Sequence, residues 1–165
     1  MKFFTPELYL RYNATDDAEA DRADEAWERA SDEYKRYLKE HRGKLPPNVR
    51  RLAEKCCFHD AVLLGWQVHG QNGARRAATR RTLTVGLQQV NEMIVLNYLL
   101  SDSLKETKPR KSWPFSPQQK HWLYDEVAAG NPLTHRILWS DGSELEIPLE
   151  DVIVDRFPAL MPEAT

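Results

Sequence analysis

The sequence predicts an α+β fold: N-terminal helices, one of them long, packed on a largely antiparallel sheet of about five to six strands that ends in a β-hairpin. Three observations predict it. Ala23, Trp27, Ala30, Tyr34, Tyr37, Leu38 and His41 recur at spacings of three and four, an apolar stripe on an otherwise charged segment. From Phe58 the pattern turns to period two, with Phe58, Val62, Leu64, Trp66 and Val68 on one side and His59, Ala61, Leu63, Gln67 and His69 on the other. Near the end, two strand-forming runs flank Asp141-Gly142, a dipeptide suited to a tight hairpin turn.

Taken in order, Thr5-Pro6-Glu7 reads as a helix start, with a side-chain cap, a proline in the first turn and an acid near the positive end of the dipole. Asp16, with Glu19 three residues later, opens the long helix, expected from about Asp17 to His41, and Gly43 suits its C-terminal cap. Leu45, Val49, Leu52 and Cys56 give a short third helix after Pro46-Pro47. Strands follow at Phe58 to Val68, Arg81 to Leu87 and Val90 to Leu100, the last chosen over a helix for its Ile94, Val95, Leu96 and Tyr98. His69 to Gly73 is a turn, and Ser101 to Ser116 has loop composition. Ser116 to Gln119 suits one helical turn, and HWLYDEV reads as a strand. A type I′ turn at Asp141-Gly142 would pair Ser140 with Ser143 and Leu138 with Leu145, putting Arg136, Leu138, Leu145 and Ile147 on the buried face and Trp139 on the other. The chain thus divides into a helical part, 1–57, a mainly β part, 58–157, and a fraying tail, 158–165, within one domain.

With 165 residues, 41% hydrophobic and 29% charged, the chain can bury a core without disulfides or metal staples. No apolar run reaches the length of a membrane helix and the first residues lack a signal-peptide pattern, so the expected compartment is the cytoplasm. The only cysteines, Cys56 and Cys57, are adjacent, a poor geometry for a structural disulfide, and are expected to be reduced and buried. The net charge of -2 hides a basic middle: residues 44–111 hold 12 Lys+Arg against 5 Asp+Glu, between two acidic segments. Such a division suits complementary packing of segments or a basic binding face.

No P-loop, dinucleotide fingerprint, Gly-x-Ser-x-Gly or His-Glu-x-x-His occurs. His59 and Asp60 are the weaker, catalytic candidates, because Asp60 falls in phase with Phe58 and Val62 and a half-buried carboxylate needs a partner such as Arg81. His59, His69, His121, His135, Asp60 and the cysteines have no metal-ligand spacing, so neither metal nor other cofactor is expected. The stronger lead is ligand or partner binding by Arg75, Arg76, Arg80, Arg81, Lys108, Arg110 and Lys111, with Trp113 and Phe115 as exposed aromatics able to stack on bases.

FTPELYLRYN, FHDAVLLGW, HWLYDEV and HRILWSDGSELEI, roughly a third of the chain, resemble segments of small uncharacterised bacterial proteins described as domains of unknown function. Some of these share a His-Asp-Ala strand opening with immunity proteins of bacterial toxin systems. The resemblance implies a bacterial cytoplasmic origin; such families have no established catalytic residues, so it carries over only the matching motif His59-Asp60-Ala61 and no catalytic role. The expected function is non-catalytic protein binding of an immunity-like or regulatory kind. Nucleic-acid or anionic-ligand binding through the basic middle is the first alternative, and a hydrolase or metal-dependent enzyme around His59 and Asp60 the second.

Overall fold

Each helix begins where a side chain or proline satisfies its first turn. The computed structural model describes residues 1–70, 80–110, 113–114 and 118–159. Thr5 Oγ1 accepts the Leu8 N–H at 3.2 Å to start α1 (Pro6–Tyr12), and Asp16 Oδ1 accepts the Glu19 N–H at 2.8 Å to start α2 (Asp17–His41). Beyond His41 the chain tightens into a 3₁₀ turn, Arg42–Lys44, so Gly43 sits inside a turn rather than capping α2 in the left-handed conformation expected of it. Two prolines then set α3 (Pro47–Lys55).

Seven strands follow: β1 (Val62–His69), β2 (Thr82–Gln89), β3 (Glu92–Leu100), β4 (Lys105–Glu106), β5 (Trp122–Ala128), β6 (Thr134–Trp139) and β7 (Glu144–Pro158). All pairings are antiparallel, in the order β1-β2-β3-β7-β6-β5, with β4 added against β7. The α+β class, the long helix and the antiparallel sheet are as expected, and Val90 to Leu100 resolves as a strand from Glu92. The 15-residue β7 joins the two halves, pairing β6 with its first part and β3 with its second. It carries the backbone through Pro158, so Pro158, expected at the start of the tail, belongs to the sheet; residues 160–165 lie outside the described ones.

The sheet curls until its ends touch. Val62 bridges His121, Leu63 N–H donates to the Lys120 carbonyl at 2.8 Å, and Trp122 exchanges backbone bonds with Ala61 and Asp60. Farther along β5, the hydroxyls of Tyr34 and Tyr37 accept the N–H groups of Val127 and Ala129, so α2 covers strand donors that pairing leaves free. Inside the curl, Leu83, Val85, Leu87, Ile94, Leu96 and Tyr98 meet Phe58, Trp122, Ile137, Trp139 and Ile147 in one core that also takes Tyr34, Leu38, Val49 and Leu52 from the helices.

The hairpin differs from its expected register by one residue. Gly142 N–H donates to the Trp139 carbonyl and Trp139 N–H to the Ser143 carbonyl, which closes a three-residue loop with Gly142 at φ +75°. Asp141 avoids positive φ and instead accepts the N–H and hydroxyl of Ser143. Leu138 therefore pairs with Glu144 and Ile137 with Leu145. Trp139 moves to the inner face with Ile137, Leu145 and Ile147, packed edge-on to Trp122 at 5.4 Å, while Leu138 joins a second cluster with Trp113 and Leu123. A one-residue slip exchanges the faces of a strand, and the demand for buried indole area decides between the registers.

The strand expected from Phe58 begins only at Val62. Ala61 N–H bonds the Phe58 carbonyl across a tight turn in which Asp60 holds φ +65°. The loop expected over Ser101 to Ser116 contains β4, held on β7 by Thr107, whose backbone and hydroxyl bond Glu144. The expected turn beyond Gly70 and the helical turn at Ser116 to Gln119 fall wholly or partly outside the described residues.

Candidate interaction surface

The residues singled out in the sequence are scattered. Asp60 is exposed, with 75% of its side chain accessible, and pairs with the His59 ring at 3.0 Å, so it is a turn residue and not a half-buried carboxylate. Its expected partner Arg81 lies at the other end of the β1–β2 hairpin: Arg81 precedes Thr82, which pairs with His69, whereas His59 accepts Gln89 at the end of β2. Eight strand residues separate those ends, roughly 26 Å. Arg81 reaches Ser103 at 3.3 Å, and Arg80 is exposed. Arg75, Arg76, Lys111 and Phe115 lie outside the described residues.

The second basic stretch folds onto the acidic segments. Arg110 binds Glu7 at 2.6 Å and lies 3.8 Å from Glu144, while Lys105 binds Glu146 at 2.9 Å. Hydrogen bonds from these cations hold Glu7 and Glu146 below the ordinary glutamate pKa, although partial burial pushes the other way. Lys108 is exposed. Trp113, expected as an exposed stacking platform, is buried: its indole N–H donates to the Ser140 carbonyl at 2.9 Å and its ring stacks on Tyr9 at 5.8 Å. A β-carbon on Gly142 would sit 2.6 Å from this indole, so the hairpin loop needs glycine there for space as well as for φ. Cys57 is exposed and Cys56 half-buried, against the expectation of two buried thiols; burial raises the Cys56 pKa, which opposes a reactive thiolate.

One constellation escaped the sequence. Tyr98 hydroxyl lies 3.0 Å from His135 Nδ1, His135 Nε2 lies 3.0 Å from Asp125 Oδ2, and Trp122 Nε1–H donates to Asp125 Oδ1 at 2.9 Å. Burial drives the Tyr98 pKa well up, so the phenol stays protonated. Tyr98, His135 and Trp122 are fully buried, which makes the chain of bonds a partnered core network. Asp125 and His135 lie ten positions apart across the β5–β6 pair, and nothing in their local spacing announces the contact. Among the described residues, no three His, Cys, Asp or Glu side chains converge in a way that could hold a metal ion, and no helix is long and apolar enough to cross a membrane.

The outer side of β1, β2, β3 and β7 is built differently. Registers align its outward residues in rows: His69, Thr82, Leu99 and Asp151; Gln67, Thr84, Asn97 and Ile153; Gly65, Gly86, Val95 and Asp155; then Val62, Gln88, Met93 and Phe157, with Leu64 beside Gly86 at the β1 bulge. Only Asp151 and Asp155 in this set carry a fixed charge, in a chain that is 29% charged. Leu64, Met93, Ile153 and Phe157 are 51%, 42%, 55% and 51% exposed. The facing glycines Gly65 and Gly86 leave a depression, bordered by Gln67, His69 and Thr84, of about 330 Å³. Of the helices, α3 meets β7 and β5, and the outward residues of β1, β2 and β3 keep their solvent contact. A sheet face open to water normally carries charge, whereas depletion of charge with exposed Met and aromatic side chains is the composition of an interface. The alternation in β2 and β3 is the sequence signal for this face: the outward positions there hold no charged residue.

The chain matches no family model, no curated protein and no solved structure.

Proposed function

We propose that the protein is a non-catalytic, cytoplasmic protein-binding protein, of an immunity-like or regulatory kind, and that it engages a protein surface with the outer face of β1, β2, β3 and β7. The observation that supports this reading is the charge-poor face itself, which leaves four large apolar side chains in water in the folded chain. Its partner presents a complementary apolar patch. Burial of those side chains supplies the affinity, and the exposed Asp155 on β7 orients the complex from one side, while Asp151 is held by Asn48 of α3 at 3.0 Å.

Immobilised protein and its Ile153→Glu variant separate this reading from the alternatives. A polypeptide retained from bacterial lysate by the wild type is expected to be lost from Ile153→Glu and kept by Lys39→Glu, a change on exposed α2. Equal retention by Ile153→Glu contradicts the reading. Retention of labelled DNA that falls steeply with salt and is abolished by Arg80→Ala with Lys108→Ala supports the nucleic-acid alternative instead.

A further inference from the structure

We infer that the groove between α2 and α3 is a small-molecule site for a straight-chain carboxylate, a free fatty acid of about ten carbons. Residues of the helical part alone line it, so the inference goes beyond the reading of the outer face and does not depend on it.

The groove holds about 560 Å³, within the roughly 300–1,000 Å³ of small-molecule sites. Tyr34 and Leu38, both buried, and Ala53 of α3 form its floor, and Lys35, Lys39 and Arg42 stand along its rim. Those three cations follow one another at spacings of four and three, so they make one row on one face of the helix. Two of them have acids beside them: Lys35 lies 3.2 Å from Asp32, and Arg42 lies 3.3 Å from Glu54, the one acid that lines the groove. Among the described residues no carboxylate pairs with Lys39. Its place in the last turn of α2 lets Lys39 offset the negative end of the helix dipole, which gives no reason for an apolar floor beneath it.

Charge and surface select the ligand. Three cations against one acid select an anion. Phe3 and Phe4 pack on Tyr34 at 5.2 and 5.5 Å, so its ring offers no open platform to a flat ligand, and a flexible chain suits the floor better. The lining runs from Ser31 to Arg42, about 16 Å at roughly 1.5 Å per residue. An extended ten-carbon chain with bonds of about 1.5 Å spans roughly 12 Å. It lies on Leu38, Ala53 and the lysine stems, and its carboxylate meets the Lys39 ammonium and the terminal N–H groups of Arg42, whose Nε faces Glu54. A ligand of about twelve non-hydrogen atoms is expected to bind with a dissociation constant of the order of 0.1–1 mM.

Titration of the purified chain with sodium decanoate to about 10 mM, followed by backbone amide NMR, tests the inference. Saturable shifts are expected at residues 31–42 and 53–54, and none with sodium acetate, which has the head without the chain. Lys39→Glu should weaken binding at least about tenfold and Lys39→Arg should restore it, as loss and return of a charge-assisted hydrogen bond require. Ala53→Trp, which fills the floor, should abolish it. Circular dichroism checks that each variant folds, and Lys39→Glu changes only an exposed side chain. Absence of saturable shifts overturns the inference, as does binding that Lys39→Glu leaves unchanged. Shifts confined to β1, β2, β3 and β7 that vanish in Ile153→Glu overturn it too, since they place decanoate on the outer face. The two readings fail separately: Lys39→Glu is expected to lose decanoate and keep the retained polypeptide, and Ile153→Glu to do the reverse.

Discussion

The interior of the curled sheet and its outer face invert the usual distribution of polar and apolar groups, and they do so on the same strands. Inside, Tyr98, His135, Asp125 and Trp122 form a continuous set of hydrogen bonds among fully buried rings. Outside, one residue away along β3 and β7, Met93, Ile153 and Phe157 stand in water. The polar groups inside have partners, whereas Met93, Ile153 and Phe157 outside keep about half of their surface in water. A buried polar network that is satisfied is compatible with stability alone, whereas an exposed apolar face costs solubility and is retained where something covers it.

Perturbing the two regions should therefore give opposite results. The largest effect is expected at Trp122, whose removal opens a cavity against Trp139 and Phe58 and takes a donor from Asp125. Trp122→Ala should lose about 3–5 kcal/mol by chemical denaturation, and a loss under about 1 kcal/mol would show that the network does not hold the core together. Tyr98→Phe keeps the ring and strands His135 Nδ1 without its partner, for an expected loss of about 1–3 kcal/mol. An unchanged denaturation midpoint would mean that the hydroxyl contributes nothing.

The pH dependence comes from both ends of the scale. Glu7 and Glu146 have pKa values lowered in the folded state, so the stability they contribute is present above the ordinary glutamate value of 4.5 and is lost as pH falls through their folded values. Solvent exposure of both pairs keeps that contribution small. Tyr124 is pushed up to about 12 by burial, and Tyr34 and Tyr98 are driven up by burial as well. Their contribution is complete below the ordinary tyrosine value of 10.0 and is lost as pH rises toward the folded values. Melting temperatures should thus fall below about pH 4.5 and, more steeply, above about pH 10. A flat alkaline limb would contradict the burial of these phenols. The smallest change in stability is expected on the outer face, where Ile153→Glu should alter it by no more than about 0.5 kcal/mol.

The same contrast explains what the sequence disclosed. Helix α2 was legible to its ends because both its apolar stripe and its Asp16 cap are local, and β3 was legible because β-branched residues favour a pleated surface. The hairpin was legible in kind but not in register, because the choice between a two- and a three-residue loop depended on burying Trp139 against Trp122, a contact between strands. Asp60 and Trp113 were misplaced for related reasons: period two does not reveal a turn at positive φ, and an indole in a basic loop does not reveal the Tyr9 ring that covers it. The outer face was the least visible. Its rows are assembled from four strands, and no single segment shows that the outward positions of all four are nearly free of charge.

Hydroxyl-radical labelling of side chains in the isolated chain and in its complex with a polypeptide retained from lysate tests most directly whether that face is covered. Met93 and Phe157 should be labelled less in the complex, while Tyr12, similarly exposed on the helical side, should be labelled as before. Identical labelling of all three in both states would contradict the account.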